Sequence, residues 1–337
     1  MNILVTGGAG YIGSHTVVEH LEKGYHPFIA DNLSNSRENV IDAIFEITGV
    51  KVPFIKIDLC NKKETENIFD QFKIDATIHF AAWKAVGESV EDPLKYYRNN
   101  LLSLITLLEI YKERNLDNFV FSSSCSVYGQ ADKLPVTETS PLKKPESPYG
   151  NTKQIGEEII TQVCNVSNIN SILLRYFNPI GAHSSAEIGE LPIGVPQNLI
   201  PYITQTGIGL RKELSVYGND YPTPDGTCIR DYIHVVDLAK AHIIALQRLL
   251  NKKNIEKVET FNLGTGTGSS ILEVIKTFEK VSNTKLPYKI VDRRDGDVVS
   301  AYANTDKANE ILGWKAQSTL EESLASAWKW EMKISKQ

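Results

Sequence analysis

The chain has 337 residues, a formal net charge of −5, and 42% hydrophobic against 23% charged residues. That length suits about two domains of roughly 150 residues each, and the composition is that of a chain that packs a core rather than staying disordered. The slight acidity excludes a broadly basic surface, so neither nucleic acid nor a membrane is an expected partner, and an anionic ligand would need a local basic site.

The N-terminus begins with Met1 and runs directly into the strand-like Asn2–Thr6, so no secretion signal is expected. Ile3–Val5 reads as a strand and Tyr11–Leu21 as a helix. Strands follow at Phe28–Ala30, Phe54–Ile57, Ala76–Phe80 and Phe119–Phe121, with helices over Lys63–Phe72 and Pro93–Arg114 between them. The most apolar stretch, around Leu101–Leu108, is interrupted by Ser103 and Thr106 and is far shorter than the roughly 20 residues that span a bilayer. Another helix opens near Tyr149, and a strand covers Ser171–Tyr176. Short, wholly apolar strands alternating with amphipathic helices predict a parallel sheet covered on both faces. After Asn178 the texture turns rich in Pro and Gly, with one clear helix near Gln197–Thr206. A division near residue 177 is therefore expected, giving units 1–176 and 177–337, with the strand-and-helix segment Ile233–Leu250 returning to the first. Cys60, Cys125, Cys164 and Cys228 are scattered, without the spacing of a zinc or redox pair, and fit a reducing cytoplasm. No metal-ligand spacing is present, and His79 and His234, set in apolar runs, read as structural.

The first strand-to-helix turn carries the earliest chemical signal. Thr6-Gly7-Gly8-Ala9-Gly10-Tyr11-Ile12-Gly13 places Gly7, Gly10 and Gly13 three apart. Glycines there allow a tight turn and let backbone N–H groups reach a pyrophosphate at the helix N-terminus. Asp31, ending the second strand, can accept hydrogen bonds from an adenosine ribose and would repel a 2′-phosphate, which favours NAD over NADP. Asp58, after the third strand, is placed for the adenine side. Together these features predict an α/β fold: a Rossmann-type doubly wound parallel sheet with a smaller C-terminal α/β substrate domain.

Ser124, Tyr149 and Lys153 carry the second signal. Tyr149 and Lys153 are one helical turn apart, and Ser124 follows a strand at the carboxyl end of the sheet, where α/β ligands bind. Oxidising an alcohol needs a base for the hydroxyl proton as hydride leaves carbon. Bringing a tyrosine from its ordinary pKa of about 10 to about 7 takes about 4 kcal/mol. An ammonium at about 4 Å supplies about 4 kcal/mol at an effective dielectric near 20. Lys153 is thus expected to depress the Tyr149 phenol, with oxidised NAD adding to it and Ser124 steadying the substrate oxygen.

Beyond these residues the chain resembles the extended short-chain dehydrogenases/reductases, and among them the UDP-galactose 4-epimerase family, almost from end to end. The likeness rests on Val5–His15, Asp31–Ser36, Lys84–Ser89, Phe121–Ser124, Ser147–Gly150, Arg175–Pro179, Gly218–Thr223, Arg230–His234 and Arg293–Asp297. It implies NAD-dependent epimerisation at C4 of UDP-glucose and UDP-galactose through a 4-keto sugar, in a cytoplasmic homodimer. By motif, Tyr11, Ile12, Asp31, Asn32, Leu33, Ser34, Asn35, Ser36, Asp58, Leu59, Phe80, Ala81, Ala82, Lys84, Asn99, Ser122 and Phe177 should join the glycines, Tyr149 and Lys153 around NAD. Lys84, Ser124, Tyr149, Asn178, Asn198, Leu199, Tyr217, Arg230, Arg294, Asp297 and Ala301 should meet the UDP-sugar, the arginine forks suiting a diphosphate.

Two positions depart from the family pattern. Trp83 is bulkier than expected beside the nicotinamide. Ala301 stands where some members carry a tyrosine, which predicts room for N-acetylated UDP-hexosamines. The rivals are a nucleotide-sugar 4,6-dehydratase, a related reductase, and a non-catalytic nucleotide-sensing module. A dehydratase needs an Asp-Glu acid/base pair after the serine, and Cys125-Ser126 stands there instead. A sensing module would have little use for the Tyr149–Lys153 pair.

Overall fold

The computed structural model describes residues 1–294 and 298–336. Its first part alternates strand and helix: β1 Asn2–Thr6, α1 Tyr11–Glu22, β2 His26–Asp31, α2 Asn39–Thr48, β3 Phe54–Lys56, α3 Lys62–Gln71, β4 Ala76–His79, α4 Val86–Glu91, α5 Pro93–Glu113, β5 Asn118–Ser122, α6 Pro148–Asn165 and β6 Asn170–Tyr176. The remainder holds β7 Asn178–Ile180, α7 Leu199–Gly207, β8 Leu214–Tyr217, β9 Ile229–Arg230, β10 Tyr232–His234, α8 Val235–Leu250, β11 Val258–Leu263, β12 Ser269–Ser270, α9 Ile271–Ser282, β13 Tyr288–Val291, β14 Ser300–Ala301 and α10 Leu320–Ile334.

Seven strands form one parallel sheet in the order β11-β6-β5-β4-β1-β2-β3. The predicted doubly wound parallel sheet is present, and its strand order reverses between β1 and β4, where such sheets open a ligand crevice. Alternate strand residues feed two cores. Ile3, Val5, Ile29, Ile78 and Val120 face α1 and α8, whereas Leu4, Phe28, Phe119, Phe121 and Leu173 face α3, α5 and α6. Both faces are covered, which is why these strands read as unbroken apolar runs.

The seventh strand was not expected from sequence. Val258-Glu259-Thr260-Phe261-Asn262-Leu263 carries polar residues at positions the structure buries, and each finds a partner. Glu259 pairs with Arg248 at 2.6 Å, and the Asn262 amide oxygen accepts from the Tyr128 hydroxyl at 2.7 Å. α8 and β11, from the C-terminal half, thus complete the N-terminal sheet. A third core, built around Ile200, Ile203, Leu214, Val274, Phe278 and Leu324, joins α7, β8, α9 and α10 into the smaller layer. α9 and α10 each begin with a capping box, Ser270 with Glu273 and Thr319 with Glu322, a start signal readable in sequence.

The glycine turn shows why its residues lack side chains. Gly7 has φ +70°, and a Cβ there would lie 2.8 Å from the Ala81 nitrogen, while one on Gly13 would lie 2.3 Å from the Gly7 carbonyl oxygen. α1 therefore packs as close to the turn as backbone allows. Gly13→Ala must push α1 outward, and a loss of about 1–3 kcal/mol is expected, read as a lower denaturant midpoint at unchanged m-value. An unaltered midpoint contradicts this close-packing account.

Candidate active site

The carboxyl ends of β1, β4, β5 and β6 lie in register, with Thr6 opposite His79, His79 opposite Phe121 and Ser122 opposite Leu174. The crevice is built on this edge. At β1 the glycine turn delivers the N-terminus of α1, which takes no side-chain cap and so leaves its first amides for an anion. Asp31, at the end of β2, accepts from the Ala9 amide at 3.2 Å, the Leu33 amide at 2.9 Å and the Ser36 hydroxyl at 2.9 Å. Burial lifts its carboxyl above the usual range, and these donors work against the lift. A left-handed Leu33, φ 59°, turns the segment Asn32–Ser36 around this carboxylate. A cradle that side chains would fill, an uncapped helix end and a carboxylate at the second strand fit a dinucleotide.

Other residues assigned to that cofactor follow the carboxyl ends of β3 and β4 or lie at α5. Asp58 is exposed and Leu59 buried after β3, and Phe80, Ala81 and Ala82 are partly buried after β4. His79 is buried and shares a 2.8 Å hydrogen bond with the Thr6 hydroxyl; burial drops its pKa to about 3, so it stays neutral. The backbone of Trp83 is clasped by the Asn100 amide, and its ring lies under the Lys95 ammonium, 3.6 Å from the centroid. Asn99 precedes Asn100 on α5, and its side chain donates to the Asn100 Oδ1 at 3.0 Å.

β5 and α6 bring Ser124, Tyr149 and Lys153 together. Ser147 caps α6 and Pro148 opens it, so Tyr149 and Lys153 fall in its first turns, on the face toward the sheet. All three are buried. The Lys153 ammonium donates to the Ser122 carbonyl at 2.6 Å and lies 5.9 Å from the centroid of the Tyr149 ring. The Ser122 hydroxyl shares a 2.7 Å hydrogen bond with Tyr176. The Ser124 hydroxyl accepts from the Ser126 amide at 3.2 Å and the Ser126 hydroxyl at 3.0 Å, and its nearness to the Tyr149 phenol favours the ionised phenol.

The expected electrostatics need correction. In the chain itself the Tyr149 phenol is pushed up rather than down, because burial outweighs the Ser124 hydrogen bond, with Tyr176 adding to the rise. Lys153 spends its closest donor on Ser122 rather than on the phenol. Burial also brings the Lys153 amine down to about 8, with Glu157 opposing the fall. The expected loss of a proton from Tyr149 therefore does not follow from Lys153 alone.

A family model described as GDP-mannose 4,6 dehydratase matches residues 4–327. The UDP-glucose 4-epimerase of Bacillus subtilis (strain 168) is 50% identical over 332 residues, covering 98% of this chain and 97% of that protein. The chain belongs to the UDP-glucose 4-epimerase family. The crystal structure of the family member from Stenotrophomonas maltophila, with bound NAD and formylated UDP-arabinopyranose, superposes with a TM-score of 0.97 at 44% identity, covering 100% of this chain and 99% of that one. The member from Bifidobacterium longum, in complex with NAD+ and UDP, gives 0.94 at 45% identity, covering 99% and 98%.

Besides Lys84, Ser124 and Tyr149, the residues that the family resemblance assigns to the nucleotide sugar come from the smaller layer. β9 and β14 pair so that Ala301 lies opposite Arg230, and β7 and β10 pair Asn178 with Tyr232. Arg294 lies over the exposed Tyr217 ring, 5.6 Å from its centroid. Asp297 lies outside the described residues. Phe177 is buried among Val127, Tyr128, Val136 and Ala303, a core position bordering Ala301. Asn198 is exposed just before Leu199, at the start of α7.

Three residues that sequence reasoning gave no role hold this arrangement. Glu190 receives Lys84 at 3.0 Å and the Asn198 amide at 2.6 Å on one oxygen. Asp231, fully buried, accepts from the backbone of Thr265, Gly266 and Ala303 and so fixes the segment after β14. Glu157, a turn beyond Lys153, meets Arg175 in a buried ion pair. The i, i+4 spacing of Lys153 and Glu157 was the one signal present in the sequence.

A protonated Lys153 sits beside the reacting groups, so the sign of its shift has consequences. Its folded pKa is lowered, so between about 8 and its ordinary 10.5 the unfolded chain holds the extra proton and stability rises with pH. Turnover moves oppositely, losing the ammonium as pH passes upward through that value. The expected pH profile of kcat has an alkaline limb at or below about 8; a limb near the ordinary 10.5 contradicts burial as the cause.

Proposed function

We infer that the chain interconverts UDP-hexoses that differ at C4, with NAD as its hydride carrier. The observation that carries this reading is the convergence of Ser124, Tyr149 and Lys153, buried together at the sheet edge that also carries the glycine turn and Asp31. Family membership and the NAD and UDP-sugar bound to the relatives support it.

The chain's own groups divide the work. Tyr149 takes the O4 proton and later returns it. Ser124 would hold the sugar oxygen beside the phenol, whose ionised form it favours. Lys153 keeps a positive charge beneath them, anchored on Ser122. When bound, NAD would supply a reversible hydride acceptor for C4, so that the interconversion would involve no net oxidation. Burial holds the phenol in its protonated form until positive charge gathers round it, which confines proton loss to the loaded site. Gly7, Gly10, Gly13, Asp31 to Ser36, Asp58, Leu59, Phe80 to Ala82, Lys84, Asn99 and Phe177 would hold the dinucleotide. Asn178, Asn198, Leu199, Tyr217, Arg230, Arg294 and Asp297 would hold the UDP part, the guanidinium forks gripping the diphosphate.

The dehydratase reading is disfavoured by the residues after Ser124. Cys125 is a thiol that burial pushes up to about 12, and Ser126 spends its hydroxyl on Ser124 at 3.0 Å. Neither supplies the acid/base pair that elimination needs. A homodimer in the cytoplasm completes the proposal. Its support is the long α5–α6 pair, whose neighbourhood exposes Val86, Val90, Leu94 and Leu102, and the four free thiols. No helix among the described residues is long and apolar enough to cross a membrane.

We also propose that N-acetylated UDP-hexosamines are substrates. Ala301 offers only a methyl group opposite Arg230, where a larger side chain would reach the sugar's C2 side.

Tyr149→Phe is expected to lower turnover of UDP-galactose by about 10²–10⁴-fold while NAD content and UDP affinity hold. Full activity in that variant removes the catalytic assignment. Ala301→Tyr is expected to cut turnover of UDP-N-acetylglucosamine by at least about tenfold and spare UDP-glucose, followed by proton NMR of the C4 configuration. Equal effects on both sugars, or no turnover of the N-acetylated sugar by the parent protein, reject the size argument.

A further inference from the structure

Ser124 sits in a short loop that leaves β5 and enters a single 3-10 turn, Cys125–Tyr128. Both flanks of that loop are tied to one buried ion pair. On the near side the Ser123 hydroxyl donates to Glu157 at 2.5 Å. On the far side the Tyr128 hydroxyl accepts from Arg175 at 2.9 Å. Glu157 and Arg175 meet in a bidentate pair, 2.9 Å and 2.6 Å, with side chains 6% and 7% exposed. Between these two ties, Gln154 donates to the Val127 carbonyl at 2.6 Å. Glu157 and Gln154 belong to α6, the helix that also carries Tyr149 and Lys153.

We propose that Glu157 and Arg175 are positioning residues that fix the Ser124 hydroxyl against the Tyr149 phenol. The proposal rests on the functional reading above. A buried ion pair is weak support for stability, since well-packed apolar residues often serve as well or better. Geometry is what this pair adds. Each partner spends a hydrogen bond on a residue flanking Ser124, and the carboxylate comes from the helix that presents the phenol. Serine, tyrosine and lysine are therefore referred to one rigid body, and a hydroxyl whose angle matters to proton transfer loses its freedom to drift.

Removing Glu157 outright would leave an uncompensated buried guanidinium and can unfold the chain, so the test uses milder changes in the full-length, NAD-loaded protein. Ser123→Ala and Tyr128→Phe each delete one tie and keep the ion pair. The double variant is expected to lose about 10²-fold in kcat, with KM for UDP-galactose and NAD content unchanged. Ser123→Thr, which keeps the hydroxyl, is expected to retain kcat. A double variant that unfolds at a lower temperature yet keeps its kcat overturns the positioning role and leaves the epimerase reading intact. If the double variant does not hold NAD, the two single variants decide by the same split of kcat from KM. A parent protein that fails to epimerise UDP-galactose overturns both readings.

Discussion

The hydrogen bond from the Lys153 ammonium to the Ser122 carbonyl is the contact on which the site depends. It joins the first turns of α6 to the last residue of β5, and it puts a cation where little water can screen it. Protein burial makes such a charge costly, and the structure meets that cost with one carbonyl and a carboxylate a turn away. The phenol of Tyr149 is then aimed by the same helix, and the serine by the same strand.

Burial acts on the two titrating groups in opposite directions. It raises the phenol and lowers the amine, favouring the neutral form of each. Further positive charge beside the phenol would oppose the rise that burial causes. The dinucleotide would bring that charge together with the hydride chemistry, so readiness for proton transfer and readiness for hydride transfer would coincide. Such coupling suits a cofactor that is used and restored within one turnover.

Local features were legible in the sequence because their causes are local. The glycine spacing reports a turn that backbone contacts crowd at 2.3–2.8 Å, and Tyr149 and Lys153 declare themselves by a single helical turn. The six early strands were visible because both faces of the sheet are covered. α2 buries Ile44 fully and packs Val40, Ile41, Ala43 and Ile47 partly against the first core, a periodicity that is present in the sequence. What stayed hidden depends on partners distant along the chain. β11 looks polar until Glu259 and Asn262 meet Arg248 and Tyr128. Glu190 acts on Lys84 from 106 residues away. The effect of burial on Tyr149 is not legible in the sequence, because spacing gives the distance to a charge but not the depth of burial, and in the chain by itself depth wins. Roles taken from family resemblance, among them those of Asn178 and Arg230, land in the smaller layer on short strands whose two- or three-residue runs leave no periodic trace.

The late arrival of β11 bears on how this molecule comes into being. Six neighbours of the sheet exist once residue 176 has emerged, yet β6 then presents a bare row of amides and carbonyls to the surroundings, an open edge of the sort that invites pairing with another chain. That edge is sealed only by residues 258–263, and α8 reaches the opposite face shortly before. During synthesis the growing polypeptide must therefore carry an unfinished border through the making of some eighty further residues. Any fragment ending near 176 inherits this border permanently, so expressing the cofactor layer by itself courts aggregation, while a shortened version that keeps α8 and β11 retains the seal.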